Sequence, residues 1–116
     1  TLNEFPERAG LFFKLPDYKA SLLNWQNVPA EKTKQILNQS SLAISKISNS
    51  KFKREILLAA LHGVIKQEGR GVVLWPLRVA VSGLSASPDP LEIMEVLGKK
   101  ESERRIKIAL EKLEGL

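Results

Sequence analysis

Gly71-Val72-Val73-Leu74-Trp75-Pro76-Leu77-Arg78-Val79-Ala80-Val81-Ser82-Gly83, followed by Ser87-Pro88-Asp89-Pro90-Leu91-Glu92-Ile93 and Gly98, is the stretch that decides how this chain folds. Pro76 suits the first turn of a helix, where no amide hydrogen is needed. The short helix so started runs to Ser82, and Gly83 is the left-handed residue that stops it. Leu77, Ala80 and Val81 share one face, predicted to turn inward. Arg78 and Ser82, four apart, share another, predicted to face solvent. A polar loop, Leu84 to Pro88, comes next. Asp89 is the predicted N-cap of the following helix, Pro90 its first residue, and Glu92 the return partner of a capping box. Ile93, Met94 and Leu97 form its buried side, and Gly98 ends it.

Outward from this block the pattern stays helical, with no sustained alternation of period two. Gly69-Arg70-Gly71 reads as a turn, and Val72-Val73-Leu74 is a strand-like run too short to found a sheet. Upstream, Ser50 is a predicted cap for a helix from Lys51 to about Glu68. Phe52, Ile56, Leu57, Leu58, Ala60, Leu61, Val64 and Ile65 cover most of its circumference, which predicts the central element of the core. Glu55, Ala59, His62 and Lys66 make its one polar stripe. Pro29 opens an earlier helix whose stripe is Ile36, Leu37, Ser40, Ala43, Ile44 and Ile47. Before it, Phe12, Phe13, Leu15-Pro16-Asp17-Tyr18 and a short helix ending near Trp25 read as an aromatic lead-in; Phe12, Phe13, Tyr18 and Trp25 are expected to pack on the core, with stacking on bases the lesser alternative. The last helix, about Lys100 to Leu113, carries Ile106, Ala109, Leu110 and Leu113. The expected fold is therefore an all-α compact helical bundle. It forms a single domain over 1–116, with a lead-in at 1–28, central helices at 29–83 and a terminal helical pair at 84–116.

Composition narrows the function. The chain has 116 residues, 43% hydrophobic, enough for one domain with a modest core. No cysteine is present, which excludes disulfides and thiolate metal sites, and the single histidine, His62, cannot build a His-based metal or catalytic cluster. No catalytic triad, no phosphate-binding Gly-Lys-Ser/Thr loop and no paired general acid and base can be found. No apolar run approaches the roughly 20 residues of a bilayer span. A start without Met and without signal-peptide regions reads as a piece of a longer protein. The net charge of +5 is concentrated in 51–83, where Lys51, Lys53, Arg54, Lys66, Arg70 and Arg78 face only Glu55 and Glu68. Such a local surplus favours a polyanionic partner.

Trp75-Pro76-Leu77-Arg78-Val79-Ala80-Val81-Ser82-Gly83 and Leu91-Glu92-Ile93-Met94-Glu95-Val96-Leu97-Gly98-Lys99 resemble the anticodon-binding end of bacterial-type glutamyl-tRNA synthetases. The likeness is specific over 71–98 and looser upstream. It implies an all-α helical cage and recognition of the anticodon loop of a glutamate tRNA. The implied RNA contacts are Arg78, Ser82, Ser87, Pro88 and Pro90. Ser82 stands where the family usually has threonine, and Pro90 where other members vary. Lys66, Arg70, Arg104 and Arg105 are candidate phosphate contacts. The resemblance also implies a parent enzyme, monomeric, that needs ATP, Mg²⁺ and glutamate. Its catalytic signatures are absent from this chain, which itself holds no catalytic residue, metal or cofactor.

Two other readings stand beside this one. The helices at Asp89–Leu97 and Lys100–Leu113 could act as a DNA-binding helix-turn-helix, with Arg104 and Arg105 entering a groove. A helical protein-interaction module with a basic surface is the other.

Overall fold

In the computed structural model, which describes residues 15–115, Pro29 is the N-cap of α1 (Ala30–Ser45). A 3-10 turn at Asn49–Lys51 leads into α2 (Arg54–Glu68), and Gly69 alone joins α2 to α3 (Arg70–Ser82). A loop of seven residues, 83–89, separates α3 from α4 (Pro90–Leu97), and Gly98 alone joins α4 to α5 (Lys99–Glu114). Gly69 and Gly98 have φ of 103° and 86°, conformations that residues with a Cβ adopt only under strain. The expected all-α bundle is what forms.

The central helix is α3, not α2. It packs on α1, α2, α4, α5 and the 3-10 turn at Ala20–Leu23. Val73, Leu77, Val79, Ala80 and Val81 are all fully buried, whereas α2 buries only Leu57 and Leu61 completely. The reading of α2 as central fails because an apolar circumference does not say which sides find partners. Ile56 stays 37% exposed. Each fully buried Leu or Val contributes about 1.5–3 kcal/mol.

Helix α3 also starts six residues earlier than expected. Gly69, rather than a Gly69-Arg70-Gly71 turn, makes the reversal, and Pro76 lies inside the helix. Pro76 cannot donate to the Val72 carbonyl, and such a lesion ordinarily costs about 3 kcal/mol. Helical packing on both sides of the proline offsets it, with Val73 and Ala80 buried about one turn either way. Gly83 ends α3 as expected, at φ 73° and ψ 10°, its N–H donating to the Val79 carbonyl at 2.7 Å. Pro16 closes over that turn: a Cβ on Gly83 would lie 2.9 Å from Pro16 Cδ.

Helix ends are satisfied from other helices. Ser50 does not cap α2; it lies in the 3-10 turn, and the N-cap residue is Lys53. The first amide of α2, Arg54 N–H, donates instead to Glu95 Oε1 of α4 at 2.8 Å. In return, Arg54 reaches Asp89, the N-cap of α4. Asp89 Oδ1 accepts from Leu91 N–H at 2.8 Å, while its Oδ2 accepts from Arg54 Nε at 2.9 Å. Glu92 adds to the negative field on Arg54. Lys99 Nζ donates to the Ser45 carbonyl at the end of α1, where the helix dipole favours a cation.

The lead-in is tied to α5. Lys112 Nζ donates to Asp17 Oδ1 at 3.0 Å and to the Tyr18 carbonyl at 2.8 Å, and lies 4.6 Å from the Tyr18 ring centroid. Burial, followed by the Asp17 charge, pushes the Tyr18 hydroxyl up to about 12. Where a helix was expected, 15–25 forms only the Ala20–Leu23 turn; Phe12 and Phe13 lie outside the described residues. Among the described residues no helix is long and apolar enough to cross a membrane.

Candidate functional site

A concavity of about 250 Å³ opens on the front of α3, lined by Trp25, Arg70, Gly71, Leu74, Trp75 and Arg78. Four of these follow helical spacing: Gly71, Leu74, Trp75 and Arg78 are one face of α3 at i, i+3, i+4 and i+7. Trp25 comes from the loop before α1. Trp75 is locked by its indole N–H, which donates to the Leu22 carbonyl at 2.9 Å. Two tryptophans and two arginines thus line the site.

Arg78 joins this concavity to the 83–89 loop. Its Nη1 donates to the Ser87 carbonyl at 2.6 Å, fixing the loop against α3. The hydroxyl of Ser87 donates to the Pro88 carbonyl at 2.9 Å. Asp89 pins the far end of the loop through Arg54, so the segment is held at both ends. Ser87 and Pro88 are half-buried, and Ser85 and Ala86 are exposed.

The expected site residues separate into two groups. Arg78, Ser87 and Pro88 come together at the loop, and Arg70 shares the concavity with Arg78. Lys66 is exposed on the last turn of α2, a few residues before Arg70. Of the remaining four, three are buried and one is paired with a carboxylate. Ser82 is 0% exposed, not on a solvent face: its Oγ donates to the Arg78 carbonyl at 2.6 Å and accepts from Leu84 N–H at 3.1 Å. It shapes the turn after α3 and offers nothing to a ligand. Pro90 is buried as the first residue of α4. Arg105 is 0% exposed, its Nε on Glu101 Oε2 at 2.7 Å and its Nη1 on the Val81 carbonyl at 2.6 Å. It cannot reach a phosphate or enter a DNA groove. Arg104 is exposed but engaged by both oxygens of Glu101, at 2.8 and 2.6 Å. Hydrogen bonding from Arg104 holds the Glu101 carboxyl at about 2, against the opposing effect of burial and with further help from Arg105.

Gly71, Leu74 and Trp75 are not among the expected site residues; their signal is the helical spacing upstream of Pro76, hidden by starting the helix at that proline. Trp25, expected in the core with base stacking as the lesser alternative, lines the concavity from the loop before α1. Among the described residues no group of three or more His, Asp or Glu side chains could hold a metal ion.

The family described as "Anticodon binding domain" matches residues 1–110. The chain belongs to that family. It is 34% identical to a glutamate–tRNA ligase of Clostridium tetani, over 98% of this chain and 24% of that protein. It is 36% identical to a glutamate–tRNA ligase of Clostridium acetobutylicum, over 97% of this chain and again 24% of the relative. A crystal structure of a glutamate tRNA ligase from Elizabethkingia meningosepticum in complex with its amino acid superposes with a TM-score of 0.74. Its identity is 30%, over 92% of this chain and 21% of that one. The anticodon binding domain thus spans about a quarter of the length of the curated relatives it matches.

Proposed function

We propose that this anticodon binding domain holds the anticodon loop of a glutamate-accepting tRNA as part of a glutamate–tRNA ligase. In that reading, the rest of a cytoplasmic, monomeric enzyme activates glutamate with ATP and Mg²⁺ and charges the tRNA. This chain's share is recognition. Single-stranded RNA loops are read through unstacked bases that meet hydrogen-bond donors, flat stacking surfaces and cations. Arg78 carries the proposal, since it lies on the edge of a concavity with two indoles and also holds the Ser87 carbonyl. One arm of its planar fork positions the loop, and the remaining donors face a base edge or phosphate. Ser87 and Pro88 present the loop surface beside it, and Arg70 and Lys66 supply charge for the RNA backbone. The burial of Arg105 argues against the helix-turn-helix alternative.

Substitution of Arg78 by alanine tests the reading. Binding of a glutamate-tRNA anticodon hairpin should weaken by about 1–3 kcal/mol, with the melting temperature nearly unchanged. An unaltered affinity sinks it.

A further inference from the structure

The chain contains two tryptophans, and both line the concavity on α3. They are held differently. Trp75 is fixed by its bond to the Leu22 carbonyl, which occupies the single polar atom of its indole. Trp25 sits half-buried in the loop before α1, next to Gln26, which has a positive φ of 51°. No hydrogen bond fixes its indole among the described residues. Gly71 positions it instead. A Cβ at Gly71 would lie 2.6 Å from Cη2 of Trp25 and 2.7 Å from Cζ2, so the indole rests directly on the backbone of the first turn of α3. Only glycine permits that approach.

The arrangement defines the ligand by its chemistry. About 250 Å³ is less than the roughly 300–1,000 Å³ of pockets for drug-sized molecules, and suits one planar ring system. Indole walls favour an aromatic face, and two guanidinium groups favour an anion joined to it. A free carboxylate would have no use for the indoles, and an apolar side chain none for the arginines. An unstacked nucleobase with its own phosphate satisfies both.

We propose that Trp25 is a base-stacking residue. With Trp75 it walls a slot for one unstacked base of the bound RNA loop, while Arg70 takes the adjoining phosphate and Arg78 the base edge. This rests on the anticodon-loop reading and adds to it a residue outside α3 and the 83–89 loop.

With Trp75→Phe, Trp25 becomes the only indole, and its fluorescence reports on stacking directly. The chain is titrated with a glutamate-tRNA anticodon hairpin and with hairpins carrying a single abasic site at each loop position in turn. Trp25 emission should be quenched on binding, and Trp25→Ala should weaken the hairpin about tenfold. Trp25→Phe should retain most of the affinity. One abasic hairpin should bind wild type and Trp25→Ala equally, which identifies the stacked base. Hairpin binding that depends on Arg78 but leaves Trp25 emission and Trp25→Ala affinity unchanged overturns the stacking role alone. Absence of hairpin binding, or indifference to Arg78→Ala, overturns the anticodon reading and the stacking role with it. If Trp25→Ala lowers the melting temperature, quenching in Trp75→Phe and the affinity of Trp25→Phe decide the matter.

Discussion

Arg70 and Arg78 on α3, and Arg104 and Arg105 on α5, count equally towards the net charge of +5, yet the fold uses them in opposite ways. The α5 pair is neutralised within its own helix. Glu101, three and four residues before them, takes both guanidinium groups, and the Val81 carbonyl takes another arm of Arg105. The α3 pair has no acid at helical spacing. Arg70 is left at the edge of the concavity, and Arg78 is joined only to a backbone carbonyl, an uncharged partner. A basic surface is therefore poorly measured by counting cations. What matters is whether a carboxylate lies one turn away to neutralise them.

Removing Arg105 is the hardest test of that contrast. Arg105→Ala should lower stability by about 3–5 kcal/mol, seen as a large drop in the denaturation midpoint, because it opens a cavity and orphans the Val81 carbonyl. Hairpin affinity of the protein that remains folded should not change. An intermediate effect belongs to Glu101→Gln. The Glu101 carboxyl is held at about 2 against an ordinary 4.5, so its ionised form is favoured by folding. Its stabilisation is complete above pH 4.5 and is lost as pH falls towards 2. Glu101→Gln should lower the melting temperature at pH 7 by about 5 °C and flatten its decline between pH 4.5 and 2, as followed by circular dichroism. The smallest effects separate the two helices at the surface. Arg70→Ala should reduce the salt slope of hairpin binding by about one phosphate contact, and Arg104→Ala should leave slope and melting temperature unchanged. An equal loss from both would erase the distinction.

Much of the fold can be read in the chain. The stripe of α1, the Gly83 stop, the Asp89 cap and the Ile106, Ala109 and Leu113 face of α5 all follow from local spacing and local chemistry. The misreadings arose where long-range packing decides. Pro76 looks like a beginning because its ring forbids a local hydrogen bond, but tertiary contacts on both sides carry α3 through it. Ser50 looks like a cap, but Glu95, far along the chain, does that work. Arg78, with Ser87 and Pro88, was accessible from the sequence as a loop next to a helix end. The burial of Ser82 and Pro90 was not, because the closure of Pro16 over Gly83 and the packing of α4 lie outside any local pattern. For Trp25, base stacking is only the lesser reading from the sequence, and its partnership with α3 is not legible, since it approaches from a loop about fifty residues upstream of Trp75.

The crossed contacts between α2 and α4 make the 83–89 loop a reporter of the assembled bundle. Arg54 is bound to positions 35 and 41 residues further along the chain, and one of them, Asp89, is where the 83–89 loop ends. The loop cannot acquire its shape from nearby residues alone; it waits for two distant helices to dock. Contacts that span such separations hold only while the entropy of closing the intervening chain is offset by the packing of the helices. The surface proposed to meet RNA thus depends on α2 and α4 being docked. Its presence on a chain is itself a sign that the rest of the bundle has assembled.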